Sequence, residues 1–400
     1  MIKEFIGKNK KIFRYIRILL IVVVVFLFLM AAFLVAGFFN FNSTSYNKES
    51  YVPKKEEPII PVAPALPGVL PLDKKDYDAR MLKLANIPVP PVPKPIIVTK
   101  KVVDKKTGKT TLVKETLPPK PVVIKPSIWP AKNTVYPNDG ALLPFHRIVA
   151  YYGNLYSKNM GALGQYPEDE MLSKLMSEVK KWNEADPNTP VVPALHYVAV
   201  TAQGYAGSDK KYRLRMPSTE IDKIIKMADK IHAIVFLDVQ VALSNLPTEL
   251  PLLQKYLKMP NVHLGIDPEF SMKTGARPGT VVGSFDASDI NYAAEYLAKL
   301  VKENNLTPKV LIVHRYTQKM VTNYQNIKPL PEVQVVMDMD GWGSRDKKLT
   351  TYKSYIYKEP VQFTGFKLFY KNDLWEKGTT LMTPPEVLKL SPQPIYIQYQ

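Results

Sequence analysis

The chain has 400 residues, no cysteine and a formal net charge of +18. Residues 1–130 hold 22 Lys/Arg against 9 Asp/Glu, which leaves only +5 on everything after them. The basic excess thus lies ahead of the region that reads as folded, which argues against a nucleic-acid-binding face; without cysteine there is no disulfide, thiolate metal ligand or cysteine nucleophile.

Residues 18–39 form a run of 22 without a charge. At ~1.5 Å per residue such a helix spans a ~30 Å hydrocarbon core. Lys3, Lys8, Lys10, Lys11, Arg14 and Arg17 precede the run, and Asn40, Asn42, Ser43, Thr44 and Ser45 follow it. The positive-inside bias makes residues 1–17 a cytoplasmic basic tail and 18–39 a single-pass transmembrane signal-anchor, with the C-terminal domain extracytoplasmic. A cleaved signal peptide is the competing reading, but the run is long for one and no convincing A-x-A site closes it.

Residues 40–130 read as a proline-rich extracytoplasmic stalk; residues 46–130 contain 16 of the 36 prolines. The run 87–95 favours polyproline II, a stiff spacer of ~3.1 Å per residue. Residues 73–86 read as one short helix. Two alternating segments flank the turn sequence 104–108 and predict a small β-hairpin over 96–117. The stalk either lifts the next domain off the membrane or binds a wall polymer.

From residue 131 to 400 the pattern is that of parallel β/α units. Strands are predicted at 147–152, 191–196, 233–238, 262–267, 309–314, 333–338, 365–370 and 395–399. Helices are predicted at 168–184, 219–230 with Ser218 as N-cap, 248–257, 288–304, 317–325, 346–357 and 385–390. The fold class is an α/β (β/α)8 TIM-type barrel; a seven-stranded or incompletely closed barrel and a doubly wound open sheet are the alternatives. No Gly-rich phosphate fingerprint follows any strand, and no cofactor is assigned.

In this fold the active site lies at the C-terminal strand ends, and side chains alternate across a strand. The fourth predicted strand is the sharpest case. Leu264 and Ile266 point one way, Gly265, Asp267 and Glu269 the other, and Pro268 ends the ladder. The other tips carry Tyr152 and Asn154, His196, Asp238 and Gln240, His314 and Tyr316, Asp338 and Asp340, Lys367, and Tyr396 with Gln398. Carboxylates gathered at one mouth cannot all stay ionised, so their pKa values split, as acid/base chemistry requires. The candidate catalytic residues are Glu269, Asp340, Asp338, Asp238 and Asp267. The candidate substrate contacts are Tyr152, Asn154, Gln240, His314, Trp342, Lys367 and Tyr370; no metal ligands are assigned. For Asp267, Asp338 and Lys367 the competing reading is a buried ion network. Trp342, between Gly341 and Gly343, is the best stacking candidate, and the loops 153–167 and 270–287 are expected to cover the mouth.

The segments Ala-Tyr-Tyr-Gly-Asn (150–154), Met-Gly-Ala-Leu-Gly (160–164), Asp-Pro-Glu-Phe (267–270), Asp-Met-Asp-Gly-Trp-Gly (338–343) and Phe-Lys-Leu-Phe-Tyr (366–370) resemble a group of extracytoplasmic bacterial barrel proteins. The likeness covers residues 145–400 and implies no catalytic residues, since that group has no assigned activity. More distantly the arrangement is similar to (β/α)8 glycoside hydrolases, many of which carry a general-acid Glu at the tip of the fourth strand, where Glu269 stands. Retaining enzymes of their largest clan place a nucleophilic Glu on the seventh strand. Here that strand carries Lys367, so that mechanism does not transfer.

Three functions follow. The first is a membrane-anchored hydrolase of cell-surface or environmental glycans, with Glu269 as general acid and Asp340 or Asp338 as base or nucleophile; a carboxyl separation of ~5 Å means retention and ~6.5–9.5 Å inversion. The second is a metal-dependent hydrolase using Asp238, Asp267, Glu269, His314 and Asp338, although no H-x-H or H-E-x-x-H spacing is present. The third is a barrel that binds a glycan, cell-wall polymer or partner without turnover, Lys367 neutralising the acids.

Overall fold

The structure, a computed structural model, describes residues 69–87, 96–103, 105–117, 127–132 and 134–400. The expected basic tail, the transmembrane segment 18–39 and residues 88–95 of the polyproline run lie outside them. Among the described residues no helix is long and apolar enough to cross a membrane.

Helix α1 (Lys74–Ala85) begins at Asp73, whose carboxylate accepts from the backbone N–H groups of Lys75 and Asp76, and stops at Asn86 in the left-handed region at φ 43°. Strands β1 (Ile96–Val103) and β2 (Thr110–Leu117) form the expected antiparallel hairpin, Ile96 facing Leu117. The barrel follows. Its strands are β3 (Arg147–Gly153), β4 (Val191–Ala202) with the short β5 (Arg213–Arg215) on its far end, β6 (Ile234–Val239) and β7 (Val262–Ile266). After the two-residue β8 (Phe285–Asp286) come β9 (Lys309–Arg315), the two-residue β10 (Val321–Thr322), β11 (Val333–Met339), β12 (Phe363–Leu368) and β13 (Tyr396–Tyr399). Strands β3, β4, β6, β7, β9, β11, β12 and β13 pair in parallel in that order, and β13 returns to β3, Tyr396 opposite Ile148. The sheet is therefore closed, and the open-sheet and seven-stranded alternatives fall. β4 outruns its predicted end because residues 197–200 stay buried, and its register against β6 shifts between Val198 and Val200, a bulge that turns the strand's end over the mouth.

Alternation splits the barrel wall into two cores. Val149, Leu195, Leu237, Leu264, Ile266, Val313, Met337 and Leu368 face outward against the helices. Ile148, Ala150, Ala194, Phe236, Ile312, Val336 and Tyr396 fill the interior. Tyr77, Met81 and Leu84 of α1 join that inner core, and the carbonyls of Leu84 and Ala85 accept from Gln393 N and Ser391 Oγ. The helix expected in the stalk is thus part of the barrel body, and the folded region starts well before residue 131. Its apolar stripe needs a surface to cover, and the barrel floor supplies one.

The outer helices follow the predicted spacing with some departures. Helix α2 (Ala162–Gln165) is a single turn; α3 (Glu168–Ala185) buries Leu172, Leu175, Val179 and Trp182 but leaves Met176 exposed. α4 (Ser218–Asp229) takes Pro217 rather than Ser218 as its cap position. The helix expected over 248–257 breaks into α5 (Leu246–Glu249), a 3-10 turn holding Pro251, and α6 (Gln254–Leu257), because proline removes a donor and crowds the preceding turn. α7 (Ala287–Asn304) starts from a capping box formed by Asp286 and Asp289. Residues 317–325 do not make the expected helix: Asn323 sits at φ 54° between two 3-10 turns that flank β10. α8 (Arg345–Thr351) continues into a π-helical turn, Tyr352–Tyr357, and α9 (Pro384–Val387) precedes β13.

Candidate active site

The C-terminal ends of the strands open on a cavity of about 690 Å³ whose lining includes Tyr152, Gln240, Asp267, Glu269, Asp340, Trp342 and Lys367. β7 delivers two of these directly. Asp267 ends the ladder, and its carboxylate accepts from Glu269 N at 3.0 Å, which caps the 3-10 turn Pro268–Phe270. That turn sets Glu269 and Phe270 half-buried at the rim. The expected loops contribute Met160 and Phe270, and the extension of β4 adds Thr201 and Ala202.

The polar groups occupy two levels. At the rim, Lys367 Nζ lies 2.8 Å from Asp340 Oδ1, and its ammonium stands 3.9 Å from the centre of the Tyr152 ring. Gln240 Nε2 donates to Asp267 Oδ2 at 3.2 Å and to the Tyr152 hydroxyl at 3.3 Å, while its carbonyl accepts from Ala202 N. Beneath the rim Asp238, Asp338, His196 and His314 are all fully buried. His314 Nδ1 faces Asp338 Oδ2 at 3.3 Å and Asp340 Oδ2 at 3.4 Å, and is the link between the levels. Tyr152 donates to Asp238 Oδ2 at 3.3 Å.

Burial and neighbouring charge split the acids. Burial, then the Asp340 charge, push Glu269 above the ordinary carboxylate range, against the Tyr316 hydroxyl and Lys367. Burial raises Asp267 well above that range and also raises Asp338, although His314 opposes both shifts. Asp238 goes the other way: burial would raise it, but the neighbouring imidazoles, His314 first and then His196, outweigh burial and hold it down. For His314 burial is likewise overcome, by Asp238 first, so its imidazole titrates well above the usual value. Burial prevails at His196 and lowers it to about 4.

The expected residues thus separate by depth. Glu269, Asp267, Asp340, Tyr152, Gln240, Trp342 and Lys367 meet at the cavity; Asp238, Asp338 and His314 lie below it and do not line it. Besides His314, two more expected substrate contacts lie off the cavity. Asn154 is buried, giving its amide to Val198 O and accepting from Tyr156 N. Tyr370 sits off the cavity, its hydroxyl 3.0 Å from that of Tyr151 and its ring stacked on Tyr399. β12 ends at Leu368, so strand alternation no longer aims residue 370. The expected ion network also differs, since Lys367 pairs with Asp340 rather than with Asp267 or Asp338. Tyr355 and Lys347 line the cavity without having been singled out in the sequence. Lys347 stands 4.3 Å from the centre of the Trp342 ring, and no local spacing marks either residue.

The fold and site define a closed, parallel (β/α)8 barrel with an acid-lined mouth. No protein-family model matches the chain, and a search of curated sequences gives no match. Among solved structures the chain is similar to Thermotoga maritima Cel5A in complex with cellobiose, at 12% identity over 64% of this chain and 88% of that one, with a TM-score of 0.34. It is also similar to Burkholderia cenocepacia dihydropteroate synthase complexed with 7,8-dihydropteroate, at 11% identity over 64% and 86%, TM-score 0.32. A mutant of the cellobiohydrolase Cel6A from Humicola insolens matches at 12% identity over 47% and 61%, TM-score 0.25. At these scores the likeness carries no argument about activity, and the barrel rests on its own strand pairings.

Proposed function

We propose that this barrel is a membrane-anchored extracytoplasmic hydrolase acting on glycosidic bonds of cell-surface or environmental glycans, with Glu269 as general acid and Asp340 as its carboxylate partner. The observation that carries the reading is the state of Glu269. Its carboxyl, raised by burial and by Asp340, opens on a cavity that Trp342, Phe270, Tyr316 and Tyr355 also line. A carboxyl whose pKa is raised, set beside an ion-paired carboxylate, is the kind of pair that glycoside hydrolysis uses. Glu269 would protonate the departing glycosidic oxygen. Asp340, held by Lys367, would attack the sugar carbon or activate water. Asp338 is the weaker choice for that role because it does not reach the cavity. The charge-free run at 18–39 is the proposed anchor.

The test is a screen of the detergent-solubilised full chain against wall and environmental polysaccharides, following new reducing ends, with Glu269→Gln and Asp340→Asn alongside. Cleavage that both substitutions abolish supports the reading. Cleavage that survives Glu269→Gln removes Glu269 from it. The Lys367–Asp340 pair favours one other reading, a barrel that binds a polymer without turnover. Tight polysaccharide retention with no new reducing ends, unchanged in Glu269→Gln, would select that one.

A further inference from the structure

We infer that the barrel holds one divalent transition-metal ion of the zinc class below the mouth, bound by His196 Nε2, Asp238 Oδ1 and His314 Nε2. The three residues come from β4, β6 and β9, and these atoms lie within 4.8 Å of one another. The Asp238 oxygen is 3.5 Å from one imidazole nitrogen and 3.6 Å from the other. A tetrahedral ion with ligand bonds of ~2.0–2.1 Å keeps its donors roughly 3.3 Å apart, close to that spacing. All three side chains are fully buried, and none of the three atoms has a hydrogen-bond partner. Buried polar atoms without partners are costly, and a single cation satisfies all three together.

The far side of each ligand faces a polar neighbour. His196 Nδ1 is 2.7 Å from the Tyr396 hydroxyl, which itself accepts from Gln398. His314 Nδ1 faces Asp338 and Asp340. Asp238 Oδ2 accepts from Tyr152. A partner of this kind orients a metal-binding imidazole: with His196 Nδ1 engaged by Tyr396, its Nε2 is left toward the ion, whereas His314 Nδ1 lies near two carboxylate oxygens without a hydrogen bond to either. Gly265 pairs with Asp238 across β6 and β7. A Cβ there would lie 2.5 Å from His196 Nε2 and 2.6 Å from Asp238 Oδ1, so only glycine leaves room for the group. Two imidazoles and one carboxylate suit zinc better than the hard, all-oxygen cations. This set differs from the mouth carboxylates, and the inference does not depend on the glycosidase reading.

The test uses the full chain, purified without chelator and then dialysed against Zn²⁺, with metal per chain read by mass spectrometry. One equivalent is expected, with a rise in Tm on adding Zn²⁺. Both should be lost in Asp238→Asn and His196→Gln, whose folding is checked by circular dichroism. Because either variant could unfold, Co²⁺ substitution of the wild-type chain provides a separate readout: intense tetrahedral absorption bands are expected. Less than a tenth of an equivalent under saturating Zn²⁺ with no shift in Tm would overturn the inference. So would weak octahedral Co²⁺ bands, or full metal content in both folded variants, since either places the ion elsewhere.

Discussion

Lys367 Nζ sits 2.8 Å from Asp340 Oδ1, with the two side chains only 3% and 8% exposed. An ion pair this buried is not a large net source of stability, but removing one partner strands the other charge. Lys367→Met should therefore cost about 3 kcal/mol in denaturant unfolding. The double variant Lys367→Met/Asp340→Asn should recover part of the loss, as a double-mutant cycle would report. If Lys367→Met unfolds at the wild-type midpoint, the pair does not hold the mouth together.

The proposed acid predicts the pH profile of turnover. Glu269 is raised and, as the proposed general acid, would act in its protonated form, so kcat/KM should fall as pH rises through that raised value. Glu269→Gln should lower turnover by roughly 10²–10⁴-fold and remove the alkaline limb from the remaining activity. An alkaline limb that persists in the variant would assign it to another group.

Asp267 makes a separate prediction about stability. Its folded value lies well above the ordinary one because of burial, so folding favours its neutral form. The stability linked to this group is full below the unfolded value of ~3.9 and is lost as pH rises through the folded value. Asp267→Asn should flatten that decline in thermal unfolding followed across pH. An unchanged slope would mean that Asp267 is ionised in the folded chain.

Trp342 is 46% exposed at the rim, so it adds little to folding. Trp342→Ala should leave Tm nearly unchanged and raise KM about tenfold, or ~1.4 kcal/mol of binding, with kcat retained. A loss confined to kcat would place the ring in the chemistry rather than in substrate stacking.

On the barrel floor Tyr77 is 3% exposed, with its ring centre 6.3 Å from that of Phe145. Tyr77→Ala should cost about 3 kcal/mol through the cavity it leaves without altering KM. A variant as stable as the wild type would make α1 a passive neighbour of the barrel.

Strand alternation is a local rule, and it made much of this barrel legible in the sequence. The outward set of Leu264 and Ile266 and the inward set of Gly265 and Asp267 follow from a period of two, and the eight strands from short apolar runs set between amphipathic segments. Depth and neighbourhood are not local. Asp238 and Asp340 both read as tip residues, yet Asp238 lies inside β6, buried beneath Tyr152, while Asp340, just past the end of β11, opens on the cavity. Tyr370 left the site once its strand had ended, and α1 joined the fold through an apolar stripe whose docking surface lies far along the chain. His196, Asp238 and His314 have no common spacing; only the parallel pairing of strands distant in sequence brings their unpartnered atoms together. Side-chain direction is set residue by residue in the backbone, whereas proximity across strands requires the whole ring to close.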